Sequence, residues 1–496
     1  MSATALLLLA LGAPWGGAVV IALLGARPYA REAGALAAAS VLLFAVALLF
    51  PHVAAGDRPG VALVEILPGL AIAFEAEPLG TLFALVASSL WLVTTVYSIG
   101  YMRGKRAPAQ TRFYACFALA LGSATGVAFA ANMITLFAFY ELLTLTTYPL
   151  VTHWGGESAR RAGRTYLGVL LGTSIGFQLF AVLWTWHAAG TLDFRQGGVL
   201  AGKLDGTESA LLLALYVFGV GKAALMPFHR WLPAAMVAPV PVSALLHAVA
   251  VVKAGVFTVL KVALYLFGLD LLGNVGSSRW LMYAGAVTVL LGAVAALRED
   301  DLKRRLAYST VSQLGYIVVG AMTVNAWGVI GGGLHLAAHA FGKITLFFCA
   351  GSIDLVARKT KVSELGGLGR TMPLTMAAFA AASLSVIGLP PWGGLWSKWY
   401  LVMGVLDAGE LAVVAILLLS SLISIAYLLP IPLRAFFPST ARGEARAHSA
   451  RPTGGPRLAE APTTCVAATL LTAAGCLVLF LYPEPLLRLL RLVAAP

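Results

Sequence analysis

Residues 215–233 read LYVFGVGKAALMPFHRWLP, and this stretch decides the fold class. Lys222 stands in the middle of an apolar run, and Pro227 follows five residues later. A charge at bilayer depth costs at least about 2.5–3.5 kcal/mol on insertion scales. A broken helix frees backbone carbonyls, which is tolerated at that depth only where they line water or protein. The stretch therefore predicts a broken transmembrane helix with a wet, flexible site for the lysine.

Outward from it, the 496 residues are 60% hydrophobic and only 11% charged, too few polar side chains to cover a soluble protein of this length. Apolar runs of roughly 18 or more residues recur along the chain, the mark of transmembrane helices. They place about 14 spans at 3–25, 32–50, 79–101, 111–130, 132–153, 163–187, 209–228, 241–267, 279–297, 304–324, 327–356, 372–406, 410–433 and 463–482. The expected fold class is an all-α polytopic membrane protein.

The net charge of +13 raises the question of nucleic acid. Its placement answers it. Between these spans the loops alternate in charge, with 23 basic residues on one side and 6 on the other. By the positive-inside rule the basic side is cytoplasmic and both termini lie outside. The charge is thus a topology signal, with the lipid bilayer as the surrounding medium and no nucleic-acid partner. The N-terminus lacks a basic residue ahead of its apolar run and reads as a first span entering from outside. Cys116, Cys349, Cys465 and Cys476 all fall within spans without a C-x-x-C pair. They read as packing residues, with neither metal nor disulfide expected.

Five lysines remain inside the spans: Lys222, Lys253, Lys261, Lys343 and Lys398, with Glu141 and Asp354 as the acids. Lys222 and Lys253 lie near the midplane, entering from opposite sides. His335, His339 and Lys343 follow an i, i+4, i+8 spacing that stacks them on one helix face. Lys398 follows a second break, at Pro390-Pro391 in VIGLPPWGGLWSKWYL. Lys261, near an outer helix end, is expected to snorkel to the headgroups, and Asp354 to anchor a cytoplasmic end beside Arg358. His247 reads either as a packed polar residue or as a relay member. Two broken, lysine-bearing helices far apart in the sequence suggest duplicated halves.

These motifs resemble the proton-translocating, antiporter-like subunits shared by respiratory complex I, membrane-bound hydrogenases and Mrp-type cation/proton antiporters. The residues that carry the resemblance are FYELLTLTTYPL with Glu141, GKAALMPFHRWLPAA with Lys222 and PVSALLHAVAVVKAGVF with Lys253. DLKRRLAYSTVSQLGYI, HLAAHAFGKITLFFCAGS and GLPPWGGLWSKWYL extend it to about residue 430. The resemblance implies two inverted five-helix repeats, with helices 7 and 12 broken. It divides the chain into helices 1–3 (1–110), a first repeat of helices 4–8 (111–267), a second of helices 9–13 (279–433), a cytoplasmic linker (434–462), and helix 14 with a tail (463–496). It implies that Glu141 and Lys222 are a pair whose association modulates proton affinity, that Lys253 connects onward, that His335, His339 and Lys343 form a central polar axis, and that Lys398 is the terminal lysine.

Lysine at the helix 12 position resembles the D subunit of Mrp antiporters, with protons and sodium or another monovalent cation as its cargo. The alternatives are the pump module of an NADH-quinone oxidoreductase or hydrogenase, and a proton-coupled module energising a soluble partner, as in inorganic carbon uptake. The chain has no cysteine cluster, dinucleotide fingerprint or haem motif, so no cofactor is expected on it. The expected partners are other membrane subunits, in a bacterial or archaeal cytoplasmic membrane.

Overall fold

The computed structural model describes residues 1–437 and 458–494, so most of the expected linker lies outside the described residues. The chain is mostly helical. It opens with α1 (Ala3–Leu23), α2 (Pro28–Ala54) and α3 (Pro78–Gly104). Five crossings follow: α4 (Gln110–Phe129), α5 (Met133–Val151), α6 with α7 (Gly156–Thr173, Leu179–Ala189), α8 with α9 (Gly206–Gly219, Trp231–Ala234), and α10 with α11 (Val240–Ala244, Val251–Val262). After the short α12 (Leu269–Val275) come five more. These are α13 (Ser277–Arg298), α14 (Leu302–Met322), α15 (Ala326–Val356), α16 with α17 (Pro373–Ile387, Gly394–Asp407), and α18 with α19 (Leu411–Leu428, Pro430–Phe436). A last crossing, α20 (Thr463–Leu481), leads to the amphipathic α21 (Glu484–Ala494), whose Leu486, Leu487, Leu489 and Leu490 are buried while Arg488 and Arg491 face out.

Among the described residues, eleven helical stretches are long and apolar enough to span a membrane. The other three crossings are α8–α9, α14 and α16–α17. Two of these are interrupted at proline-bearing segments, and α14 begins with the polar LKRRLAYST. α8 and α16 are apolar but only 14 and 15 residues long, because their crossings are broken.

One element departs from an all-α reading. β1 (Gly60–Leu67) and β2 (Leu70–Glu75) pair antiparallel as a hairpin. The signal for it is Pro68-Gly69 between two apolar runs, with Gly69 at φ +79°, a conformation that favours glycine. The hairpin reaches the α4–α5 link, where Ala131 N donates to Ala73 O at 2.9 Å.

The two five-crossing runs share a backbone device. In the first, Met133 N donates to Leu192 O (2.9 Å) and Phe194 N to Ala131 O (3.0 Å), tying the start of α5 to the segment after α7. In the second, Leu302 N donates to Thr360 O and Val362 N to Asp300 O, both at 2.8 Å, tying the start of α14 to the segment after α15. Asn132 and Asp301 cap the two helices through Thr135 N and Arg304 N, the side-chain oxygens satisfying amides that have no partner within the helix. Five crossings separate the two ties, an odd number, so they lie on opposite faces of the membrane. The stretch Val240–Phe267 is wholly buried and α15 nearly so, and these two form the axis of the molecule.

Candidate functional site: a buried row of lysines and histidines

The break at Lys222 comes earlier than the apolar run suggests. α8 stops at Gly219, and Lys222 sits on a single tight turn, Gly221–Ala223, rather than inside a helix. Ala224 follows in the left-handed region at φ +52°. The cause is close packing. A β-carbon on Gly255 of α11 would collide with the backbone of Lys222 and Ala223, so glycine there lets the turn lie directly on the axis. Backbone groups freed by the break find side-chain partners: Trp231 Nε1 donates to Gly221 O (3.0 Å), Lys222 N to Tyr140 Oη (3.1 Å) and Met226 N to Thr288 Oγ1 (3.2 Å). This is how irregular backbone persists at membrane depth.

The Lys222 ammonium donates to Tyr140 O (2.7 Å) and Thr144 Oγ1 (2.6 Å) of α5 and lies over the Tyr140 ring. It does not bond the expected partner. Both carboxylate oxygens of Glu141 are buried without a hydrogen-bond partner among the described residues, one residue along from the Tyr140 carbonyl that holds the lysine. Tyr140 and Thr144 are contacts that charge alone did not reveal. Thr144 was the more legible, standing three residues after Glu141 on the same helix face.

At the centre, Lys253 Nζ of α11 meets His339 Nδ1 of α15 at 2.6 Å. His339 and His335 stack with ring centroids 5.9 Å apart. His335 Nδ1 then pairs with Ser397 Oγ at 2.9 Å, on the first turn of α17. The next residue, Lys398, donates to Ile387 O, freed at the end of α16, and to Ser421 Oγ of α18, both at 2.9 Å. The structure thus lines up Lys253, His339, His335 and Lys398, with Ser397 as a link that a search for ionisable groups passes over. Lys343 leaves the row and donates to Leu306 O of α14 at 3.1 Å. Every one of these lysines and histidines is less than 10% exposed.

One assignment at the helix ends needs correction. Lys261 does not snorkel: it is fully buried, donating to Ala130 O (2.7 Å) and pairing with Glu77 at 3.4 Å. The hairpin and the segment around Phe194, whose ring lies 4.7 Å from the amine, cover this helix end. Asp354 is an anchor, paired with Lys105 at 2.9 Å. His247 is buried beside Phe347 with neither ring nitrogen hydrogen-bonded among the described residues.

Fold and site define a class first: a multi-pass helical membrane protein with two proline-broken helices and a row of buried ionisable groups. The family model described as the transmembrane region of NADH:quinone oxidoreductase and Mrp antiporter subunits matches residues 130–424, and the chain belongs to this family. It is 36% identical over 427 residues to NADH-quinone oxidoreductase subunit N of Desulforudis audaxviator, covering 85% of this chain and 84% of that protein. It is 33% identical over 356 residues to NAD(P)H-quinone oxidoreductase chain 5 of Synechocystis, covering 66% of this chain and 49% of the relative, so it spans about half of that protein's length. Its fold matches a chain of the Mrp complex from a Dietzia species with a TM-score of 0.85 at 24% identity, over 100% of this chain and 97% of that one.

Proposed function

We propose that this chain is a proton-conducting subunit of a multi-subunit membrane complex. In this reading protons pass along the row from Glu141 and Lys222 through Lys253, His339 and His335 to Lys398, with Lys343 as a side member. The observation that carries it is the 2.6 Å contact between Lys253 Nζ and His339 Nδ1, which joins the two most buried helices by groups able to exchange a proton. A buried lysine held by a carbonyl and a hydroxyl, next to an unpartnered carboxylate, keeps charge in play where a fixed ion pair would hold it still. The two five-crossing runs then act as repeats over 111–267 and 279–433, in a bacterial or archaeal cytoplasmic membrane with both termini outside.

The assembly favoured by the 36% identity is a redox-driven quinone oxidoreductase, in which other subunits carry the electron chemistry. The second reading is the D-type subunit of a monovalent cation/proton antiporter, favoured by Lys398 in the second break and by the fold likeness to the Mrp chain. Glu141→Gln and Lys222→Ala are each expected to abolish proton transport in vesicles while the protein stays in the membrane. Near-normal flux in both variants overturns the proposal. Identifying the copurifying subunits separates the assemblies: iron–sulfur or flavin subunits mark the first, and small hydrophobic membrane subunits alone mark the second.

A further inference from the structure

The proton row leaves the fully buried Lys261 unused. Lys261 lies on the same face of α11 as Lys253, two turns further on, with Phe257 between them. Its amine donates to Ala130 O, the carbonyl at the end of α4, and faces Glu77 at 3.4 Å. Glu77 is itself fixed. It caps α3 through Leu79 N and Gly80 N, both at 2.7 Å, and accepts from Tyr265 Oη at 2.9 Å. On the outer side of this pair lies a cavity of about 10 Å³, bordered by Arg58, Glu75 and Phe194. It has room for about one water, and the Phe257 ring, one turn from Lys261 toward Lys253, lies 5.5 Å from the amine.

The second run repeats the arrangement on the opposite face. Ala130 stands two residues before the cap Asn132, and Glu299 two residues before the cap Asp301. The Glu299 carbonyl is likewise held by a basic side chain: Arg305 Nε donates to it at 2.7 Å, and Arg305 Nη1 donates to Tyr427 O of α18 at 3.1 Å. In both runs, then, the carbonyl that ends the first helix is closed over by a cation. A fixed positive charge held against a carbonyl and screened from water repels a proton or any small cation trying to pass.

We propose that Lys261, locked by Glu77 and the Ala130 carbonyl, is a cationic seal that closes the proton row of the first run at the hairpin face, and that Arg305 is its counterpart for the second run on the opposite face. The two seals leave each run open only toward the other face, which prevents a proton from slipping straight across. The proposal rests on the chain conducting protons as described above.

The test uses vesicles carrying the whole assembled complex with a pH-sensitive dye inside and no energy source, reading the decay of an imposed pH difference. Lys261→Met is expected to raise passive proton permeability about tenfold, the effect of one unit charge removed roughly 12 Å from Lys253 in a protein interior. Lys261→Arg, which keeps the charge, is expected to restore tightness. Adding Lys253→Met to Lys261→Met is expected to stop the leak, because the leaking proton must use the row; a merely loosened helix end would go on leaking. An unchanged leak in Lys261→Met at normal complex levels overturns the seal, as does a leak that survives Lys253→Met. If Lys261→Met does not assemble, the double variant Lys261→Met/Glu77→Gln, which removes the cation without leaving the carboxylate buried alone, is read the same way: a raised leak supports the seal and an unchanged one overturns it. Failure of the conduction reading shows separately, as driven transport that survives Lys222→Ala.

Discussion

The two five-crossing runs share a backbone tie and a helix cap but carry different electrostatics. In the first, the residue nine positions after the helix cap is Glu141; in the second, nine positions after Asp301, it is Thr310. Glu141 keeps a buried carboxylate with no hydrogen-bond partner among the described residues, whereas the Thr310 hydroxyl is spent on Leu306 O at 3.0 Å, the carbonyl that also takes Lys343. The lysines are placed differently as well. Lys222 stands five residues before Pro227 on a turn without helix, and Lys398 seven residues after Pro391 on a regular helix. The first half thus holds an acid and a base close together, while in the second Lys343 and Lys398 are held by carbonyls, a hydroxyl and the face of the Tyr316 ring. We read the first as the half where charge is modulated and the second as the half that passes it on.

Removing the lysine from either half tests this most severely. Lys222→Ala and Lys398→Ala are each expected to cut transport by roughly a hundredfold or more, the scale of a lost proton-transfer group. Proton uptake by vesicles, normalised to assembled complex, measures it. Near-normal transport in Lys398→Ala alone would break the comparison by removing the second half from the path. The acid comes next: Glu141→Gln is likewise expected to abolish transport, while Thr310→Val at the matching position changes it by less than about twofold, since only a helix-internal hydroxyl bond is lost. Equal losses in the two variants would mean that position, and not charge, matters there.

Much of this was legible in the sequence, and what was not has physical causes. The crossings, both breaks and the ionisable row follow from hydropathy and from the cost of buried charge, which single residues announce. Tyr140, Ser397 and Ser421 carry no charge, so nothing in the composition marks them until the fold brings them to a lysine or histidine. Lys261 misled because its depth in the sequence matched a helix end. What covers it comes from far away in the chain, with Glu77 and Phe194 meeting it only in three dimensions. Glu77 lies just outside the expected span 79–101. The early end of α8 was hidden for a similar reason: the space that admits the Lys222 turn is made by Gly255, more than thirty residues on.

That glycine gives a prediction about packing. Gly255→Ala puts a methyl group against the backbone of Lys222 and Ala223, and overpacking of this kind costs about 1–3 kcal/mol. The expected result is a melting temperature lowered by several degrees for the purified complex, with transport reduced because the turn carrying Lys222 is displaced. Ala254→Gly, one position earlier on the same helix, is the control for helix propensity, expected to cost about 1 kcal/mol. An equal loss of transport in the control would show that the effect is not the collision with the turn.

The smallest effects compare how each half holds its polar groups. Thr144→Val keeps the shape of the side chain but removes one of the two oxygens that accept from the Lys222 ammonium. A hydrogen bond to a charged group contributes about 1.5–3 kcal/mol, so transport should fall by about tenfold or more. Ser397→Ala removes the hydroxyl that pairs with His335 Nδ1. A bond between neutral groups contributes about 0.5–1.5 kcal/mol, so a loss of only a few-fold is expected. The order of the two losses is the informative quantity, read from initial rates of vesicle acidification at matched complex levels. A larger loss in Ser397→Ala would mean that the His335 to Lys398 step limits transport and would move the control of charge to the second half. The expected order places it at Lys222, where a carboxylate and an ammonium lie close on facing elements without being bonded to each other.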